Sequence, residues 1–117
     1  MAGHNFGKEH SIEEGDMSAS INGTVMECRQ FFRHSLQAEW SGAASLNGTI
    51  VAQASNDGGT TWTTLSGTIS PTGASGSGVL NDITHGIALV HCELLRAAWV
   101  RIAGTGTLNV YLIGRGL

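Results

Sequence analysis

Charge, cysteine and long apolar runs are all scarce in this chain, and each shortage excludes something. Charged residues occupy 13% of its 117 positions. A helical domain ordinarily solvates its outer faces with Lys and Glu, so a helical fold is a poor match. The basic residues number six and are scattered, so they make no footprint for nucleic acid. Two cysteines, Cys28 and Cys92, are too few for a disulfide framework. They can pair only if the strand ends near each come together, and the expectation is two buried free thiols. No apolar stretch approaches the roughly 18–20 residues that span a bilayer. No charged-then-apolar leader with a small-residue cleavage site is present either. Neither a membrane partner nor export by a signal peptide is expected.

What is abundant is glycine, at 17 residues, together with Ser, Thr and Asn. That composition suits a β-protein with many tight turns. The length suits one domain. Such a chain buries roughly two thirds of its unfolded surface, so a core needs neither metal nor disulfide. The net charge of −3 resides entirely in residues 1–16, where Glu9, Glu13, Glu14 and Asp16 are balanced only by Lys8. Elsewhere acidic and basic residues cancel. Residues 1–16 lack periodicity and read as a flexible or extended acidic arm that docks on a neighbouring subunit. Fully extended, such an arm spans about 50 Å at ~3.3 Å per residue. Ser11 with Glu14 also fits a capping box for one helical turn. Residues 17–117 then form the folded domain.

From Phe32 the signal is period two. Phe32, His34, Leu36, Ala38 and Trp40 alternate with polar residues, which is a strand with one dry face. Ser41 to Ala44 breaks it, and Leu46 to Ser55 makes a second strand. Asn56-Asp57-Gly58-Gly59 turns the chain into a hairpin partner from Trp62 to Ile69. Ser70 to Gly78, with the sole proline Pro71, reads as a long exposed loop. Val79 to Ile83 is a short strand, and His85 to Leu95 is ambiguous. Ala98, Val100 and Ile102 alternate with Trp99 and Arg101 in another strand. Gly104-Thr105-Gly106 turns into a last strand through Leu108, Val110 and Leu112. Asn22-Gly23 and Asn47-Gly48 match a glycosylation pattern but read as turns. The sum is an all-β, antiparallel sandwich or jelly roll of about seven or eight short strands.

Chemistry is hard to find in this pattern. His4 and His10 sit in the arm, His34 on a dry face, and His85 and His91 flank the ambiguous segment. None belongs to a closely spaced ligand cluster, so no metal or other cofactor is expected. No Gly-x-Ser-x-Gly elbow is present. Gly104 to Thr107 resembles a phosphate loop only superficially, because no lysine and no helix follow. Asp57 and Asp82 have ready turn roles. No catalytic residue is assigned, and the chain is expected not to be an enzyme. The most specific local motif is Ser55 to Trp62, which resembles the Asp-box Ser-x-Asp-x-Gly-x-x-Trp of sialidase-type propellers and other β-proteins. Its residues Ser55, Asp57, Gly59 and Trp62 suit a structural turn. Asp57 would accept turn amides, a glycine would take positive φ, and Trp62 would pack beneath the hairpin. Trp99 is the best candidate for an exposed aromatic at an interface, although packing in a core is the commoner fate of such a residue. Arg101, Tyr111, Glu9, Glu13 and Glu14 join it as candidate interface residues.

The order of several weak motifs carries more than any one of them. Glu39-Trp40-Ser41-Gly42 is followed by Asn47-Gly48-Thr49-Ile50 and by Ser55 to Trp62. Trp99-Val100-Arg101-Ile102, Gly104 to Tyr111 and Gly114-Arg115-Gly116 complete the series. From about Phe32 to Gly116 this layout resembles short bacteriophage virion β-sandwich proteins, among them capsid decoration or cement proteins. The resemblance implies a non-catalytic virion component, made in the host cytoplasm and placed on the capsid surface. It further implies the major capsid protein or another virion protein as partner, and a homo-oligomer. The same pattern occurs in carbohydrate-binding sandwiches, so the alternative is a glycan- or receptor-binding module of a fibre, spike or tail. Under that reading Trp99 and the loops Asn56–Thr60 and Ser70–Gly78 are the places to look.

Overall fold

The computed structural model describes residues 6–86, 88–89 and 92–116. His4 and His91 lie outside the described residues. Among those residues there is no helix. Nine strands run in the order β1 (Phe6–Asp16), β2 (Ile21–Asn22), β3 (Met26–Glu27), β4 (Arg33–Ser55), β5 (Thr63–Thr64), β6 (Gly76–Leu80), β7 (Thr84–His85), β8 (Ala88–Leu89) and β9 (Leu94–Arg115). Seven of them make one open antiparallel sheet, and β7 and β8 make a separate pair.

The all-β antiparallel class matches the sequence pattern, but the expected short strands give way to two long ones. β4 has 23 residues and β9 has 22, and they pair along nearly their whole length. Ser41–Ala44 and Gly104–Gly106 do not end strands. They form facing irregularities in one ladder, with register shifts at Ser41/Ala44, Ala44/Asn47 and Asn47/Gly48. Extra residues in a ladder bend it without breaking it. Positive φ at Gly42 (57°), Ser45 (55°) and Gly104 (101°) makes the bend possible. At Gly104 a Cβ would lie 2.6 Å from the Leu46 Cα and 2.7 Å from the Ser45 carbonyl oxygen. Only glycine fits there.

The bend doubles the ladder over. Arg33 pairs with Arg115 at one end and Ser55 with Leu94 at the other. A straight ladder of that length would hold its ends about 70 Å apart. The longest dimension of the molecule is 44 Å. Ligand atoms of His34, from the first end, and Cys92, from the second, lie within 4.8 Å of each other. One half of the doubled sheet is β1, the C-terminal part of β9, the N-terminal part of β4, and β6. The other is β2 with β3, the N-terminal part of β9, the C-terminal part of β4, and β5.

One core joins the halves. Leu36, Ala38 and Trp40 from the start of β4 and Ile50, Ala52 and Ala54 from its end belong to the same buried cluster. β9 contributes Leu95, Ala97 and Trp99, then Leu108, Val110 and Leu112. The parity of β9 switches between those sets. Trp40 pairs with Leu108 and Ile50 with Trp99, one more step along β4 than along β9. A one-residue slip exchanges the faces of a strand. Each fully buried large side chain here contributes about 1.5–3 kcal/mol.

Residues 6–16 are not an arm apart from the domain. They form β1, paired with β9 from Phe6 opposite Arg115 to Asp16 opposite Thr107. Ile12 and Met17 are buried in the shared core. Ser11 forms no helical cap. Its buried hydroxyl donates to the Thr24 carbonyl (2.9 Å) and accepts from the Ala97 amide (2.9 Å). Those bonds give β1 a partner that outcompetes a local turn. Nor is residues 70–78 wholly a loop. β6 begins at Gly76 and pairs with Leu36–Trp40, and Pro71 is buried.

Candidate functional site

The open end of the doubled ladder gathers most of the polar side-chain chemistry. Three segments meet there: residues 28–34 leading into β4, the turn after β4, and Cys92-Glu93 before β9. The turn is built on Ser55 and Asp57. The Ser55 hydroxyl donates to Asp57 Oδ1 (2.8 Å) and accepts from the Gly59 amide (3.0 Å). Asp57 Oδ1 also accepts from the amides of Thr61 (2.8 Å) and Thr60 (3.1 Å). These bonds, the Thr61 amide first, pull the Asp57 carboxyl down to about 2. Gly58 and Gly59 take φ of 75° and 93°. Trp62 closes the turn by donating its indole N–H to the Gly59 carbonyl (3.0 Å), and the Arg96 guanidinium lies 4.1 Å over its ring.

Glu93 clamps this turn to the rest of the seam. Its carboxylate accepts from the Gly58 amide (2.9 Å) and pairs with Arg29 (2.7 Å). Its own amide donates to Asn56 Oδ1 (2.7 Å). The amide of Cys28 donates to the Glu93 carbonyl (3.0 Å). Beneath these contacts Cys28, His34 and Cys92 are all buried, and their ligand atoms lie within 4.8 Å of one another. The two sulfurs are 2.7 Å apart, and Cys28 Sγ lies 3.0 Å from the Cys92 carbonyl oxygen. The bond to the Cys92 sulfur, with burial next, pushes the Cys28 thiol up. Accepting that bond lowers the Cys92 thiol. A cleft of about 280 Å³ lined by Arg29, Phe31, Asn56, Cys92 and Glu93 reaches this cluster from outside.

The proposed interface residues are scattered over other surfaces. Trp99 is not exposed. It is fully buried and donates its indole N–H to the Met17 carbonyl (3.1 Å). The parity slip turns it inward and turns Val100 and Ile102 out, at 46% and 69% exposure. Arg101 braces the bend, with Nε donating to the Gly104 carbonyl (2.9 Å) and its amide donating to Ser20 Oγ (3.0 Å). Tyr111 is half-buried under His10, stacked at 4.1 Å, with the Lys8 ammonium 4.5 Å from its ring. Glu9, Glu13 and Glu14 are exposed on β1, an edge of the sheet. Trp40, like Trp99, is buried, and donates to the Thr72 carbonyl (3.0 Å).

The sequence pattern missed the cysteine–histidine cluster. Cys28 and His34 are close in the chain, but Cys92 stands 64 residues from Cys28. The only available signal was that both cysteines border strand ends.

No protein-family model matches the chain, and no curated protein matches it. Among solved structures, the fold is similar to the crystal structure of the SPBc2 prophage-derived protein YomS. The likeness has a TM-score of 0.56 at 16% identity, and covers 99% of this chain and 97% of that one.

Proposed function

We propose that this chain is a bacteriophage virion structural protein that decorates the capsid shell and catalyses nothing. The observation that carries the reading is the end-to-end likeness of its fold to a prophage-derived protein, at nearly full coverage of both chains. The ordered motifs from Glu39 to Gly116 support it from the sequence side. The surface supports a contact role too. Val100 and Ile102 stand exposed close together on β9, and exposed apolar groups mark binding surfaces when clustered. The two halves of the doubled ladder serve as a sandwich-like body, and the partner is the major capsid protein. Copies associate as a homo-oligomer. The glycan-binding alternative gains no such support, since Trp40 and Trp99 are buried and one face of Trp62 is covered by Arg96.

Phage particles assembled with and without this gene provide the test. The protein should co-sediment with intact heads through a density gradient, and antibody should label the head surface. A chain that stays at the top of the gradient, with unlabelled heads, removes the proposal. Labelling confined to tails or fibres would instead favour a receptor-binding role.

A further inference from the structure

We propose that Cys28, His34 and Cys92 form a binding site for a thiophilic divalent ion, with zinc as the type ion. The inference is independent of the role in the virion. Two sulfurs and an imidazole converge from two distant chain segments, residues 28–34 and Cys92, all buried, with every ligand atom within 4.8 Å of the others. That donor set suits zinc, which binds thiolate sulfur at about 2.3 Å and imidazole nitrogen at about 2.0–2.1 Å.

The alternative use of the same residues is a disulfide. It would employ the sulfurs alone, whereas an ion would use the imidazole as well. The sulfurs stand at 2.7 Å, between the roughly 2.05 Å of a covalent bond and the wider spacing of two thiolates on one ion, so the choice between the two falls to the test below. Two thiolates sharing a tetrahedral ion at about 2.3 Å each would sit about 3.8 Å apart. Binding therefore parts the sulfurs by about 1 Å, within reach of small rotations about the Cα–Cβ bonds. The cleft of about 280 Å³ beside Cys92 gives the ion a way in and a water a place as fourth donor. The buried thiols lose their protons to solvent as the ion binds, so two protons leave per ion.

The position of the site gives it a purpose. His34 belongs to one end of the doubled β4–β9 ladder and Cys92 to the other, while Cys28 follows β3. An ion there clips the open end of the sheet shut.

The full chain, purified under reducing conditions and freed of metal, is titrated with zinc alone. The expected result is one ion bound per chain, release of two protons and a raised melting temperature. Cobalt(II) in place of zinc should give a thiolate-to-metal charge-transfer band. Cys28→Ser and Cys92→Ser should each abolish that band, and His34→Gln should weaken zinc binding at least ten-fold while both thiols remain. If a variant fails to fold, proton release and the cobalt band of the unmodified chain still decide the matter. Absence of stoichiometric zinc binding by the reduced chain overturns the proposal. So does an intact mass two hydrogens short in freshly isolated protein that takes up no ion either before or after reduction, which identifies a disulfide.

Discussion

Asp57 is the side chain on which the turn after β4 depends. Its carboxylate collects the Ser55 hydroxyl and two backbone amides, and those donors favour the charged form. Its folded value, about 2, lies below the ordinary 3.8. The unfolded chain therefore takes up the proton first as pH falls. The stabilisation is complete above about pH 4 and is lost as pH drops toward 2. Titration of the Asp57 carboxyl by NMR should give a midpoint near 2 in the folded protein. Asp57→Asn should lose this acid dependence and loosen the amides of Thr60 and Thr61 in hydrogen exchange. A midpoint near 4 would show that the amides do not hold the carboxylate. Trp99 shows the opposite side of residue-level chemistry. Burial is tolerable for its polar N–H because the Met17 carbonyl accepts from it.

Among the elements, β1 most changes how the chain must be understood. It supplies a flank to the C-terminal part of β9, and Ile12 enters the core from it. The buried Ser11 hydroxyl ties it to residue 24 and to β9 through two hydrogen bonds. Removing one partner of such a bond costs about 1–3 kcal/mol where a buried group is left unsatisfied. Deleting residues 1–16 should therefore unfold or strongly destabilise the domain. Circular dichroism melting with size-exclusion chromatography checks this. A truncated chain with an unchanged melting midpoint would restore the notion of a detachable arm. The charges on β1 also fit its place at a sheet edge, because Lys8, Glu9, Glu13 and Glu14 oppose uncontrolled strand addition.

At the scale of the whole molecule, one bent ladder makes two packed halves, and the outward side chains are what a partner meets. Ile102, at 69% exposure, adds little to the core. Ile102→Lys should change folding stability by less than about 0.5 kcal/mol and should reduce attachment to phage heads. Urea unfolding beside head co-sedimentation separates the two effects. Unchanged attachment would move the contact surface away from this part of β9.

The residues by themselves determined the all-β class, the inward face of Leu36, Ala38 and Trp40, and the turn chemistry of Ser55 to Trp62, because each depends on neighbours a few positions away. The direction of Trp99 was beyond that range. Both faces of its strand are apolar, and the choice follows from bulges in a ladder formed with a distant strand. The same holds for β1, whose polar sequence becomes a strand only because β9 offers it a row of hydrogen-bonding groups. Cys28, His34 and Cys92 meet because the ladder folds back at Gly42 and Gly104. Proximity across such a bend is set by tertiary closure, which no local spacing records.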